Sequence, residues 1–184
     1  MKLCSWALWI CVMFCHSATA STTYNFVSSN AQLTVPVTVG MTVEQTRELI
    51  CMARNVYHES RGRSEQNQLA VAWVTRNRHL ITGRSICAVV FEHRTVSNTG
   101  RRVAQFSWTN KTHSRPMERA AWDQAQMIAW QVLHNPNVRD ITQGATHFFE
   151  RGTNPVWSHP SSARRVIDAH VFVRINSYAV AQLR

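Results

Sequence analysis

The sequence predicts a mainly helical α+β fold with a small antiparallel β hairpin. Three observations carry this. Between residues 42 and 134, apolar residues recur at helical spacing in separate stretches. After Asn135-Pro136 the period changes, and residues 146–149 and 166–175 are rich in β-branched and aromatic side chains. No internal repeat or low-complexity block interrupts the pattern, so residues 42–184 read as one domain.

The first 20 residues read as a leader rather than as part of the fold. Lys2 is a one-charge start, residues 3–14 are apolar and uncharged, and Ala18-Thr19-Ala20 fits the small-x-small cleavage rule. The apolar run is short for a membrane span, which needs about 20 residues. The expectation is cleavage and export; a retained anchor is the alternative. Residues 21–41 are polar, rich in Ser, Thr, Asn and Val, and read as an extended arm. About 160 residues remain after the leader, enough to bury a core.

Thr42 opens the first helix, three residues before Gln45, a capping-box spacing. Ile50, Ala53, Val56 and Tyr57 follow at helical spacing, and Gly62 stops the run. Ser64 caps a second helix with Asn67 at the third position. Leu69, Ala70, Ala72, Trp73 and Val74 are its apolar residues, and Gly83 ends it. Residues 86–91 form a short apolar piece of about two helical turns. Residues 92–104 are charged, polar and Gly-containing, and read as a surface loop. Residues 117–134 form the longest helix, with Ala121, Ala125, Ile128 and Val132 on one face. Residues 146–149 and 166–175 are the two strands of the hairpin. Residues 151–165, with Gly, Asn, Pro and Trp157, are a long loop of the kind that carries function.

The formal charge is +10 with His neutral. A basic surface implies an anionic partner. For an exported protein that partner is a cell-wall polymer or outer-membrane face rather than nucleic acid. Of five cysteines, three lie in the leader. Cys51 and Cys87 remain as an even pair, for which a disulfide is expected in an oxidising compartment; two buried thiols are the alternative.

Acidic residues are few, which narrows the choice of an acid catalyst. Glu44 and Glu48 lie early on the first helix. Glu118 and Asp123 share the long helix with Arg119 and read as solvated. Glu65 and Glu92 fall at surface positions. Asp140 suits a turn, and Asp168 alternates with Ile167 on a strand. Glu59 differs: it lies at a helix end, flanked by Tyr57 and His58, where packing can desolvate it. Desolvation raises a carboxyl pKa and keeps a proton available near neutral pH. A Glu59–Arg61 ion pair at the helix end is the commoner arrangement.

Other chemistries find less support. His58, His147 and His170 with Glu59 are the only candidate metal set, and no His-Glu-x-x-His helix is present. No metal or cofactor is expected. A Ser nucleophile would lack its Gly-x-Ser-x-Gly elbow. Trp122 and Trp130 sit on the long helix as core. Trp108 and Trp157 sit in loops, beside the Ser, Thr and Asn that a sugar groove would use.

Residues 51–62, which contain Glu59, together with residues 68–72, 77–78, 86–90, 105–109, 144–149, 155–157 and 167–172, carry a series of motifs in which the chain resembles the SleB-like cell-wall hydrolases, the spore-cortex-lytic enzymes and their phage relatives. The opening motif is Cys51-Met52-Ala53-Arg54-Asn55-Val56-Tyr57-His58-Glu59-Ser60-Arg61-Gly62. Gln68-Leu69-Ala70-Val71-Ala72, Asn77-Arg78, Ile86-Cys87-Ala88-Val89-Val90 and Gln105-Phe106-Ser107-Trp108-Thr109 continue it. Gly144-Ala145-Thr146-His147-Phe148-Phe149, Pro155-Val156-Trp157 and Ile167-Asp168-Ala169-His170-Val171-Phe172 complete it, in order, over residues 46–176.

The resemblance implies a lysozyme-like domain that cleaves the bond between N-acetylmuramic acid and N-acetylglucosamine in peptidoglycan. It implies a lytic transglycosylase leaving a 1,6-anhydro end, with a phage endolysin among the family's roles. Glu59 takes the place of the family's acid/base. Tyr57, His58, Gln105, Ser107, Trp108, His147 and Trp157 are the expected groove contacts. One departure stands out: an acidic residue usually follows the motif's glycine, and here it is Arg63. A hydrolase normally needs two carboxylates, whereas a transglycosylase manages with one. The alternatives are an N-acetylmuramidase, a zinc amidase and a wall-binding protein without activity. The partner expected is peptidoglycan, with no nucleic acid and no membrane span after cleavage, for a secreted or periplasmic monomer.

Overall fold

The computed structural model describes residues 40–96, 98–111, 115–155, 157–158 and 164–175, and one strand pair within the arm. In that pair, β1 (Val27–Ser28) runs antiparallel to β2 (Ala31–Gln32). The leader expected at residues 1–20 lies outside the described residues. The fold is α+β and mainly helical, as expected.

Helix α1 (Val43–Ser60) begins with a complete capping box: the Thr42 hydroxyl accepts the Gln45 N–H, and the Gln45 side chain accepts the Thr42 N–H at 2.8 Å. Leu49, Met52, Ala53, Val56, Tyr57 and Ser60 form its buried face. The helix stops where the chain turns through Gly62 at φ +77°, a conformation that costs glycine least. Helix α2 (Glu65–Thr82) is capped by the Ser64 hydroxyl on the Asn67 N–H and ends at left-handed Gly83. Helix α3 (Ile86–Val90) is shorter than the two turns expected. The Glu48 carboxylate of α1 accepts the N–H groups of Ile86 and Cys87, and the Cys51–Cys87 disulfide joins the same two helices.

Residues 92–104 are not a plain loop. They form a hairpin of β3 (His93–Thr95) and β4 (Arg102–Ala104), with His93 opposite Ala104. Its strands are short and largely exposed, so they need no apolar alternation and leave no sequence signal. A 3-10 helix, Ser107–Asn110, follows.

Helix α4 (Arg119–His134) packs along α1 through Trp122, Ala125, Ile128, Ala129 and Val132. Its N-cap, Glu118, provides no side-chain cap. The Tyr57 hydroxyl oxygen serves instead, accepting the N–H groups of Met117 and Glu118 at 3.0 and 3.1 Å.

The C-terminal sheet has three strands, not the two expected. β5 (His147–Glu150), β6 (Arg164–Ile167) and β7 (His170–Val173) are antiparallel in the order β5-β7-β6. Residues 166–175 read as one strand because both halves are β-branched and aromatic. The chain turns within them at Asp168, which holds φ +52° and so is not on a strand; Asp tolerates this conformation better than most residues. The turn is fastened to α2. The Asp168 carboxylate accepts the Ser64 N–H at 3.1 Å, and the Asn67 amide bridges the Ile167 carbonyl and the His170 ring. Phe172 and Ala145 then pack on Ala70, Val71 and Val74 of α2.

Candidate active site

Glu59 sits one residue before the end of α1, and its side chain lines a groove of about 1290 Å³. Val74 and Arg78 on α2, the β3–β4 hairpin, residues 104–107, His147 and Phe148 on β5, and Trp157 complete the lining. Three packed units therefore border one groove: the α1 end, the middle of α2 and the sheet.

Burial pushes the Glu59 carboxyl up to about 7, against the opposing pull of the Lys111 charge. Arg61 does not neutralise it. Arg61 pairs with Glu118 at 3.2 Å and lies over the Tyr57 ring. No ion pair among the described residues includes Glu59. The commoner arrangement for a helix-end glutamate is thus not the one adopted here.

His147 is the second perturbed group of the groove. Burial first, then the charges of Arg78 and Arg94, hold its ring down to about 4. It is a neutral imidazole at neutral pH, with the Thr146 hydroxyl 3.0 Å from Nδ1 and the Trp157 ring centroid 5.4 Å away. Arg78 is itself 9% exposed, with the Phe106 ring 5.8 Å from its guanidinium. Burial brings its pKa down to about 10, so it stays charged.

Of the residues expected at the site, Glu59, Gln105, Ser107, His147 and Trp157 line this groove together. Tyr57, His58 and Trp108 do not. Tyr57 is 3% exposed because residues 53, 56, 57 and 60 share the buried helix face, and its hydroxyl is used at the start of α4. Trp108 is 4% exposed, its ring turned inward so that Nε1 donates to Asn55 Oδ1 at 3.0 Å. His58 stacks on that indole at 4.5 Å.

Sequence reasoning missed Arg78, Arg94 and Glu92 as lining residues. Arg78 had a signal: a cation on the helix face shared with Val71 and Val74, which are buried. Arg94 and Glu92 had none, because the hairpin that presents them was read as a loop. Glu92 is paired with Arg84 at 2.9 Å. The other carboxylates near the sheet are occupied elsewhere. Asp168 caps Ser64, whose N–H holds it below the usual carboxylate range, and Glu150 faces Arg63 at 3.7 Å. Neither lines the groove. Among the described residues no three His, Cys, Asp or Glu side chains are grouped to hold a metal ion, and no helix is long and apolar enough to cross a membrane.

No curated protein and no solved structure matches the chain. A family model described as Cell Wall Hydrolase matches residues 62–173. The matched span holds α2, the hairpin, α4 and the sheet, and begins three residues after Glu59. The chain therefore belongs to the cell wall hydrolase family, a peptidoglycan-acting enzyme of the extracytoplasmic side, where a disulfide such as Cys51–Cys87 also persists.

Proposed function

We propose that Glu59 is the acid/base of a lytic transglycosylase that cuts the bond between N-acetylmuramic acid and N-acetylglucosamine. The observation that carries this is the Glu59 carboxyl, raised to about 7 by burial in a groove large enough for a glycan strand. A general acid works best with its pKa near the working pH. Glu59 gives its proton to the glycosidic oxygen as the bond from C1 breaks. The resulting carboxylate then takes the proton of the muramic C6 hydroxyl, whose oxygen closes on C1. The product is a 1,6-anhydro sugar, and the enzyme is returned in its starting state. His147, Gln105, Ser107 and Trp157 are the groove contacts.

The hydrolytic alternative needs a second carboxylate to activate water. Glu92 is the acid in the groove that offers one, but it is held in an ion pair with Arg84 at 2.9 Å. A wall-binding protein without activity would gain nothing from a buried carboxyl at the cost of its desolvation. Mass spectrometry of released muropeptides tests the proposal: anhydro ends support it, and reducing ends favour Glu92 as base.

The remaining organisation belongs to the same reading. Residues 1–20 are a cleaved leader, residues 21–41 an arm, and residues 42–184 the catalytic domain of an exported monomer. It serves wall remodelling in a bacterium or, as an endolysin, lysis by a phage. The basic surface then faces wall polymer rather than nucleic acid.

A further inference from the structure

Arg78 is the odd group of the groove. It is nine-tenths buried, yet among the described residues its guanidinium makes no ion pair and no hydrogen bond. A buried charge without a counter-charge is costly. Of the two acids that share the groove, burial favours the neutral form of Glu59, and Glu92, whose charge Arg78 does feel, forms its ion pair with Arg84 instead. Arg94 of β3 lines the same groove, its charge felt by both Arg78 and His147. Two cations from different elements thus face one cavity beside a neutral imidazole.

Resting on the glycan-cleaving reading of this groove, we propose that Arg78 and Arg94 form a subsite for a carboxylate carried by the glycan strand. A planar guanidinium accommodates a carboxylate through paired N–H donors. Peptidoglycan offers that chemistry from two sources, the lactyl group of a peptide-free muramic sugar and the acids of the peptide stem. The uncharged amino sugars offer none. The subsite therefore selects muramic strands over chitin-like strands and sets which sugar lies across Glu59.

The test is calorimetric titration of the mature Glu59→Gln protein with four probes. These are a peptide-free muramic tetrasaccharide, its lactyl methyl ester, the peptide-bearing tetrasaccharide and chitotetraose. We expect the free acid to bind about ten- to a hundredfold more tightly than its ester, the range of a charge-assisted hydrogen bond. The preference should collapse in Arg78→Gln and shrink in Arg94→Gln. Equal binding of the acid, its ester and the peptide-bearing probe would overturn the subsite while leaving the glycan groove standing. Binding of none of the four would overturn both. Tighter binding of the peptide-bearing probe than of the free acid would assign the carboxylate to the stem, and the reverse to the lactyl group. Acid and ester differ only in the ligand, so the comparison holds even if Arg78→Gln does not fold.

Discussion

The indole of Trp108 lies against the imidazole of His58, ring centroids 4.5 Å apart, one residue before the proposed acid. Its Nε1 donates to Asn55, and Asn55 in turn donates to Thr75 on α2 at 3.0 Å. One buried tryptophan thus joins α1, α2 and the 3-10 helix. Trp108→Ala should cost about 3–5 kcal/mol of stability. Trp108→Phe keeps the stack but leaves Asn55 Oδ1 without its donor, and should cost about 1–3 kcal/mol. Thermal melts would measure both. If Trp108→Ala folds with unchanged stability and loses only substrate affinity, the ring is a sugar contact after all.

Replacing Glu59 with Gln should lower wall clearing by about 10²–10⁴-fold, the usual contribution of a general acid, with the fold intact. Turbidity loss of a peptidoglycan suspension measures it. A variant retaining more than about a tenth of activity would remove Glu59 from the role.

The raised carboxyl also has a signature in stability. A folded-state pKa of about 7, above the ordinary 4.5, means the native state holds its proton longer than the unfolded chain. Glu59 then disfavours folding increasingly as pH rises from about 4.5 to about 7, by roughly 3 kcal/mol at the upper limit. Glu59→Gln should therefore melt higher than the native protein at pH 8, by a margin that fades toward pH 4.5. A margin independent of pH would mean the carboxyl is not perturbed. Activity should fall in parallel above about pH 7, as the proton is lost.

His147 runs the other way. Its ring is held down to about 4, so the unfolded chain protonates first and stability drains away as pH falls from about 6.5 to about 4. His147→Gln should flatten that acid limb of the melting curve. An unaltered limb would place the acid sensitivity in another histidine.

The disulfide closes a loop between positions 36 apart in sequence. In the chain-entropy model this is worth about 3–4 kcal/mol. Cys51→Ser/Cys87→Ser should lose that much, and reductant should reproduce the loss in the native protein. Intact mass showing two free thiols after export would refute the bond.

Much of this was legible because local chemistry and global fold agree. The Thr42–Gln45 box, the Ser64 cap and the Gly62 and Gly83 stops each lie where the sequence puts them. The misread segments have two causes. Strands β3 and β4 bury little, so selection left no alternation to read; the β6–β7 turn uses Asp168 where glycine would have announced it. Of the residues singled out by type and position, Glu59, Gln105, Ser107, His147 and Trp157 line one groove. Tyr57 and Trp108 are buried instead, and their residue type could not tell the two apart, because an aromatic with a polar handle suits a groove and a capped core equally well.

None of the described residues of the β3–β4 hairpin is buried, though the hairpin lines the groove from Glu92 to Ala104. The helices that fix Glu59 close their core without it. Part of the groove wall is consequently carried by a segment outside that core. Substitutions can accumulate along that ribbon, changing its charge or length, without opening the helical core. A protein so divided can be retuned to a differently decorated wall without first having to be refolded.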